Sequence, residues 1–167
     1  MKKSDSITQR IILQEEVIPQ VIRWRLNSKS IAFTNGVFDV LHAGHIKVLA
    51  KAASFADMLI VGVNSDSSVK RLKGENRPIN PEQSRALILA SLIMVDAVVI
   101  FDEDTPLELI KKIRPDVLIK GGDYTVETMI GAEVVMENGG RIEIIPIEEG
   151  FSTTAIIEKI SANKKNN

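Results

Sequence analysis

Five short apolar runs, each followed by a stretch of helical periodicity, constrain this 167-residue chain more than any other feature. They are residues 30–34 (SIAFT), 58–63 (MLIVGV), 97–101 (AVVIF), 117–120 (VLIK) and 141–145 (RIEII). Runs this short and this apolar are the pattern of strands buried on both faces. Residues 44–55 carry Ile46, Val48, Leu49 and Ala52 at helical spacing, and residues 81–94 put Leu87, Ile88, Leu89 and Leu92 on one side. A helix over 106–113 stops before Pro115, and one over 127–137 stops at Asn138-Gly139-Gly140. A last helix covers 153–160. Strands joined by helical crossovers pair in parallel.

The predicted fold is therefore α/β: a Rossmann-like, doubly wound, five-stranded parallel sheet spanning residues 29–162. Residues 1–28 read as a helical extension outside the sheet, with Pro19 near a helix start or break and Trp24 as a packing anchor. Residues 163–167 (NKKNN) read as a disordered tail. A hydrophobic content of 44% suffices for a core, and a net charge of -1 gives no basic surplus for nucleic acid or an anionic membrane. There is no cysteine, so disulfides, thiolate metal sites and cysteine nucleophiles are excluded. No apolar stretch reaches the roughly 20 residues of a membrane span, and no apolar h-region follows MKKSDSITQR. A soluble cytoplasmic protein is the expectation.

Open parallel sheets bind ligands beyond the carboxyl ends of their strands. After the first run come Asn35-Gly36-Val37-Phe38-Asp39 and then His42-Ala43-Gly44-His45, at a helix start. These are the chain's two histidines. Two imidazole donors, a close-approach glycine and free helix N–H groups make an anion site best suited to phosphate. One capping and one core histidine is the plain alternative, and a metal pair lacks a third ligand at zinc spacing. After the second run stands Asn64-Ser65-Asp66-Ser67, readable as a ligand loop or a helix N-cap. Residues 70–80 (KRLKGENRPIN) read as a solvated loop or as a cationic lid carrying Lys70, Lys73 and Arg77. Arg85 follows on the next helix. After the fourth run, Lys120-Gly121-Gly122-Asp123 offers bare backbone to a base or sugar. After the fifth, Phe151-Ser152-Thr153-Thr154 opens a helix with hydroxyls suited to a terminal phosphate. There is no nucleophile elbow, no P-loop and no G-x-G-x-x-G.

HAGH after GVFD resembles the H-x-G-H nucleotidyltransferases. TNGVFDVLHAGH, VNSDSSVKRLKGENRPINPEQSR, FDEDTPLELI, LIKGGDY and GFSTTAIIEKI together resemble the adenylyltransferase domain of ADP-heptose synthesis enzymes, over residues 30–160. In many bacteria that domain follows a sugar kinase domain, and a chain this short resembles the stand-alone form. The resemblance implies transfer of AMP from ATP to D-glycero-β-D-manno-heptose 1-phosphate, giving ADP-heptose and pyrophosphate for lipopolysaccharide core or S-layer glycans. It implies Mg²⁺ with the ATP, and a homodimer is the expected assembly. His42 and His45 would donate to the reacting phosphoryl oxygens, Lys47 would steer the incoming phosphate, and Arg85 with the 152–154 turn would hold the outer phosphates. Related cytidylyltransferases carry R-T-E-G-I-S-T-T where this chain reads IEEGFSTT from Ile147, so the arginine's role does not carry over. A cytidylyltransferase for a polyol phosphate such as glycerol 3-phosphate, and a non-catalytic nucleotide-binding protein, remain alternatives at this point.

Overall fold

The leader, expected to stand outside the sheet, supplies its first strand. The computed structural model describes residues 5–146. After helix α1 (Asp5–Thr8), the two-residue strand β1 (Ile11–Ile12) pairs in parallel with a strand far along the chain, Ile11 opposite Val98 and Ile12 opposite Val99. Arg10 fixes the join. Its carbonyl accepts from the Val98 N–H at 2.8 Å, and its guanidinium donates to the carbonyls of Ala90, Leu92 and Val95. A strand of two residues is too short to leave a period in the sequence, so among the described residues the sheet has six strands and not five. A 3₁₀ turn (Gln14–Glu16) leads into α2 (Val17–Leu26), with Pro19 in its first turn.

The five apolar runs all form strands: β2 (Ile31–Gly36), β3 (Met58–Asn64), β4 (Ala97–Phe101), β5 (Val117–Gly121) and β6 (Arg141–Ile145). All pair in parallel, in the order β1-β4-β3-β2-β5-β6. Helix α3 (Ala43–Ala53) follows β2, α4 (Asp66–Lys73) and α5 (Glu82–Ala90) follow β3, α6 (Leu107–Ile113) follows β4, and α7 (Ala132–Glu137) follows β5. Alternate strand residues enter two separate cores. Ile31, Phe33, Ile60 and Val99 pack with residues of α2, α6 and α7. Ala32, Leu59, Val61 and Val98 pack with residues of α3 and α5. That is the doubly wound arrangement, with both faces of the sheet covered.

Three aspartates, each the residue just before a strand, pin the opposite edge of the sheet. Asp57 accepts from the Ser30 N–H at 3.0 Å, Asp96 from Leu59 at 2.8 Å and Asp116 from Ile31 at 2.7 Å. They satisfy amides that lie before the ladder begins. Two segments depart from the expected pattern. Ser65 caps α4 by accepting from the Ser68 N–H at 3.0 Å, so the stretch 70–80 begins as helix, and only after Gly74 (φ 91°) does it become loop. The single helix expected over 127–137 is split into a 3₁₀ turn (Val126–Thr128) and α7. Gly131 divides them at φ 87°, where a Cβ would also stand 2.6 Å from Ile110 Cδ1. No described helix is long and apolar enough to cross a membrane.

Candidate active site

The strand order reverses between β2 and β5, and a cavity of about 570 Å³ opens at their carboxyl ends. β2 delivers Asn35 and Gly36, and the turn after it delivers Val37 and Phe38. Phe38 holds a left-handed φ of 49°, and its ring lies over Gly36, where a Cβ would stand 3.1 Å from a ring carbon. The same ring packs against His45, with centroids 5.2 Å apart. Glycine at position 36 and the strained turn at Phe38 therefore seat the histidine pair.

His42 is the N-cap of α3, in extended conformation, and its Nδ1 accepts from the His45 N–H at 3.4 Å. A neutral imidazole that accepts at Nδ1 carries its proton on Nε2 and can donate from there. The two rings stack at 3.8 Å and line the cavity with Gly44, at the positive end of an eleven-residue helix. His45 Nδ1 is buried without a hydrogen-bond partner. Burial lowers the pKa of His42. Burial, then His42, then the charge of Lys73 pull His45 down to about 4. Both imidazoles are thus neutral N–H donors at pH 7, in a setting where an approaching polyanion would raise their proton affinity. The capping role and the cavity-facing role coexist in His42.

Of the other expected residues, Asn64, Lys73, Lys120 and Gly121 also line the cavity. Arg85 does not. Its side chain is fully buried, donating to Asn80 O (3.0 Å), Val37 O (2.6 Å) and Asp66 Oδ1 (2.7 Å). It stands off the cavity wall expected for a residue holding the outer phosphates, and three of its five donors fasten the turn after β2 to α4 and the loop before α5. Arg77 is likewise committed, with Nε 2.7 Å from Asp39 Oδ2. Asp39 Oδ1 accepts from the N–H groups of Ile79 (2.8 Å) and Asn80 (2.9 Å). Asp39 therefore fixes the loop and does not face the cavity. Lys70 lies beside Glu75, so of the cations Lys70, Lys73 and Arg77 expected in a lid only Lys73 lines the cavity, next to Leu72. Gly122 donates its N–H to Ile145 O at 3.0 Å, which removes that amide from base reading. Asp123 is exposed and Lys47 is exposed on α3, neither on the cavity wall. Phe151, Ser152, Thr153 and Thr154, with the helix expected over 153–160, lie outside the described residues.

Sequence reasoning misses one wall. Tyr124, Thr128, Met129 and Ile130 face the cavity because Gly131 delays α7 and leaves the preceding residues in an open turn. The signal was Gly131 itself, inside a stretch read as continuous helix. Asp104 and Pro106, ahead of α6, close the cavity opposite. Asp104 is held at 2.7 Å by Arg71 Nε.

Residues 33–161 match the cytidylyltransferase-like family. The chain belongs to that family. It is a nucleotidyltransferase by that membership. Its relatives include the bifunctional protein HldE of Koribacter versatilis, 56% identical over 150 residues, covering 90% of this chain and 31% of that protein. HldE of Campylobacter jejuni is 54% identical over 156 residues, covering 93% and 32% respectively. The chain thus spans about a third of the length of these relatives. Among solved structures, the lipopolysaccharide core biosynthesis protein from Thermoplasma volcanium superposes with TM-score 0.58 at 29% identity, covering 72% of this chain and 97% of that one. Pantoate-beta-alanine ligase from Francisella tularensis shares the fold, with TM-score 0.60 at 18% identity, over 83% of this chain and 67% of that one.

Proposed function

We propose that this cytidylyltransferase-like protein is an adenylyltransferase that moves AMP from ATP to D-glycero-β-D-manno-heptose 1-phosphate, releasing pyrophosphate. The observation that carries the reading is the stacked His42–His45 pair at the N-terminus of α3, on the wall of the switch-point cavity. The sugar is supported by the match to HldE proteins and by the structural likeness to a lipopolysaccharide core biosynthesis protein. A sugar 1-phosphate is already an anionic nucleophile, with a charge of about -1.5 to -2, so the reaction requires no general base. The acceptor oxygen bonds to the α-phosphorus as the bond to the pyrophosphate oxygen breaks. The protein's work is positioning and neutralising charge. His42 Nε2 and the α3 amides would donate to the α-phosphoryl oxygens, and Lys73 would offset charge on the leaving side.

Mg²⁺ is proposed to enter with ATP. Among the described residues no group of three or more His, Cys, Asp or Glu side chains could hold an ion. A Mg²⁺ held mainly by phosphates and water, with at most a carboxylate such as Asp104, fits that donor set. When bound, it neutralises phosphate charge. Soluble, cytoplasmic action as a homodimer remains part of the proposal.

Pyrophosphate release with ATP and heptose 1-phosphate tests the reading. Release should require both substrates. His42→Ala and His45→Ala should each lower turnover about 10²–10³-fold, as for a lost transition-state donor, with the fold intact by circular dichroism. Full turnover in either variant would remove the histidines from the mechanism.

A further inference from the structure

Lys120 enters the cavity from β5, across the switch point from the histidine pair on α3. Its ammonium is partly buried and donates to neutral oxygens, Asn35 Oδ1 at 3.0 Å and Asn35 O at 3.2 Å. Among the described residues no carboxylate stands within ion-pair distance of it. It lies 5.5 Å from the centroid of the Tyr124 ring, and Tyr124 is 43% exposed on the same wall. A partly buried cation held by neutral acceptors carries a desolvation cost, which an anion bound from solution would offset.

Two polyanions must meet in this cavity, and each needs its own cation to approach the other. The α3 N-terminus, His42, His45 and Lys73 serve one. We propose that Lys120 and Tyr124 form the acceptor subsite, Lys120 Nζ receiving the phosphate of a sugar monophosphate and the Tyr124 ring packing against the sugar's C–H face. The subsite deepens the nucleotidyl-transfer reading and rests on it. Thr128, on the adjoining turn, borders the space the sugar would fill. Burial pulls the pKa of Lys120 down to about 8, so its charge is at the edge of loss in mildly alkaline solution. The other titratable and charged groups facing this cavity are His42 and His45 from α3, Lys73 from α4, Asp104 ahead of α6, and Tyr124. The imidazoles are already neutral there, and Lys73 stands exposed, so loss of charge near pH 8 falls to Lys120.

The test is steady-state kinetics with ATP and heptose 1-phosphate varied separately. Lys120→Met should raise the KM for the sugar phosphate about 10- to 100-fold, the range of a lost charged hydrogen bond. The KM for ATP should stay within about 3-fold. Tyr124→Leu, at a half-exposed position that folding does not need, should also raise the sugar phosphate KM selectively. In the wild type this KM should climb above about pH 8, and Lys120→Arg should abolish the climb. A rise in the ATP KM equal to or larger than that for the sugar phosphate, or no change in either, overturns the assignment. If the wild type turns over neither substrate, the transferase reading fails. Calorimetric binding of heptose 1-phosphate to wild type and Lys120→Met then still decides the subsite: weaker binding in the variant supports it, and equal binding overturns it.

Discussion

The imidazole of His45 sits under Phe38, against His42, with its Nδ1 buried and unpaired. Such a ring resists protonation in the folded chain and accepts it freely in the unfolded one. Its folded pKa of about 4 lies below the ordinary 6.5. Between those values the unfolded state binds more protons, so stability rises with pH through that window. The contribution is complete above about pH 6.5 and is lost as pH falls toward 4. His45→Gln should flatten the stability–pH profile between pH 6.5 and 4, measured by urea unfolding at each pH. An unchanged slope would mean that His45 is not the buried neutral ring described. At this scale the sequence is informative about type and less so about placement. The spacing of His42 and His45 at a helix start is visible in the sequence, and both side chains line the cavity. The fate of Arg85 and Arg77 is not legible, because whether an arginine faces a ligand or a carbonyl is decided by residues distant in sequence, Val37 and Asp66 for one, Asp39 for the other.

The element that most changes its meaning is the connection from α4 to α5. A charged, glycine-containing stretch suggests a free lid. Instead its second half is latched: the Asp39 side chain, 1% exposed, takes two backbone N–H groups from Ile79 and Asn80 and pairs with Arg77. Arg85 closes the latch from below by donating to Asn80 O. The latch leaves out the turn around Gly74 and Glu75, next to Lys73. Asp39→Asn keeps the shape but loses the charge facing Arg77. It should destabilise the chain by about 1–3 kcal/mol, the cost of leaving a buried polar partner unsatisfied. Limited proteolysis should cut between residues 74 and 80 faster in the variant than in the wild type. Equal cutting would mean that the latch does not hold the loop. The helix of residues 66–73 and the split at Gly131 escape the sequence for related reasons. A serine cap reads equally well as a ligand loop, and one glycine inside an apolar-periodic stretch reads as tolerated until its φ is known.

For the whole molecule, the alternation of apolar runs and helical segments was enough to place the cavity. Strands buried on both faces must be parallel, parallel strands need crossovers, and crossovers leave one ligand-bearing edge. What the pattern could not carry was β1, whose two residues gain their place through Arg10 and the α5 terminus. The family match supports nucleotidyl transfer, and within it the nucleotide base is the finest choice. Gly121 lines the cavity. A slot shaped for adenine loses both filling and polar pairing when cytosine enters it. Poor filling alone is worth about 1–3 kcal/mol, and unpaired polar groups discriminate far more strongly. The decisive measurement is kcat/KM for ATP and for CTP with heptose 1-phosphate as common acceptor, with the nucleotide sugar identified by mass. The account predicts ADP-heptose and a preference for ATP of at least about 10²-fold; comparable values for the two nucleotides, or no nucleotide sugar from ATP, would contradict it.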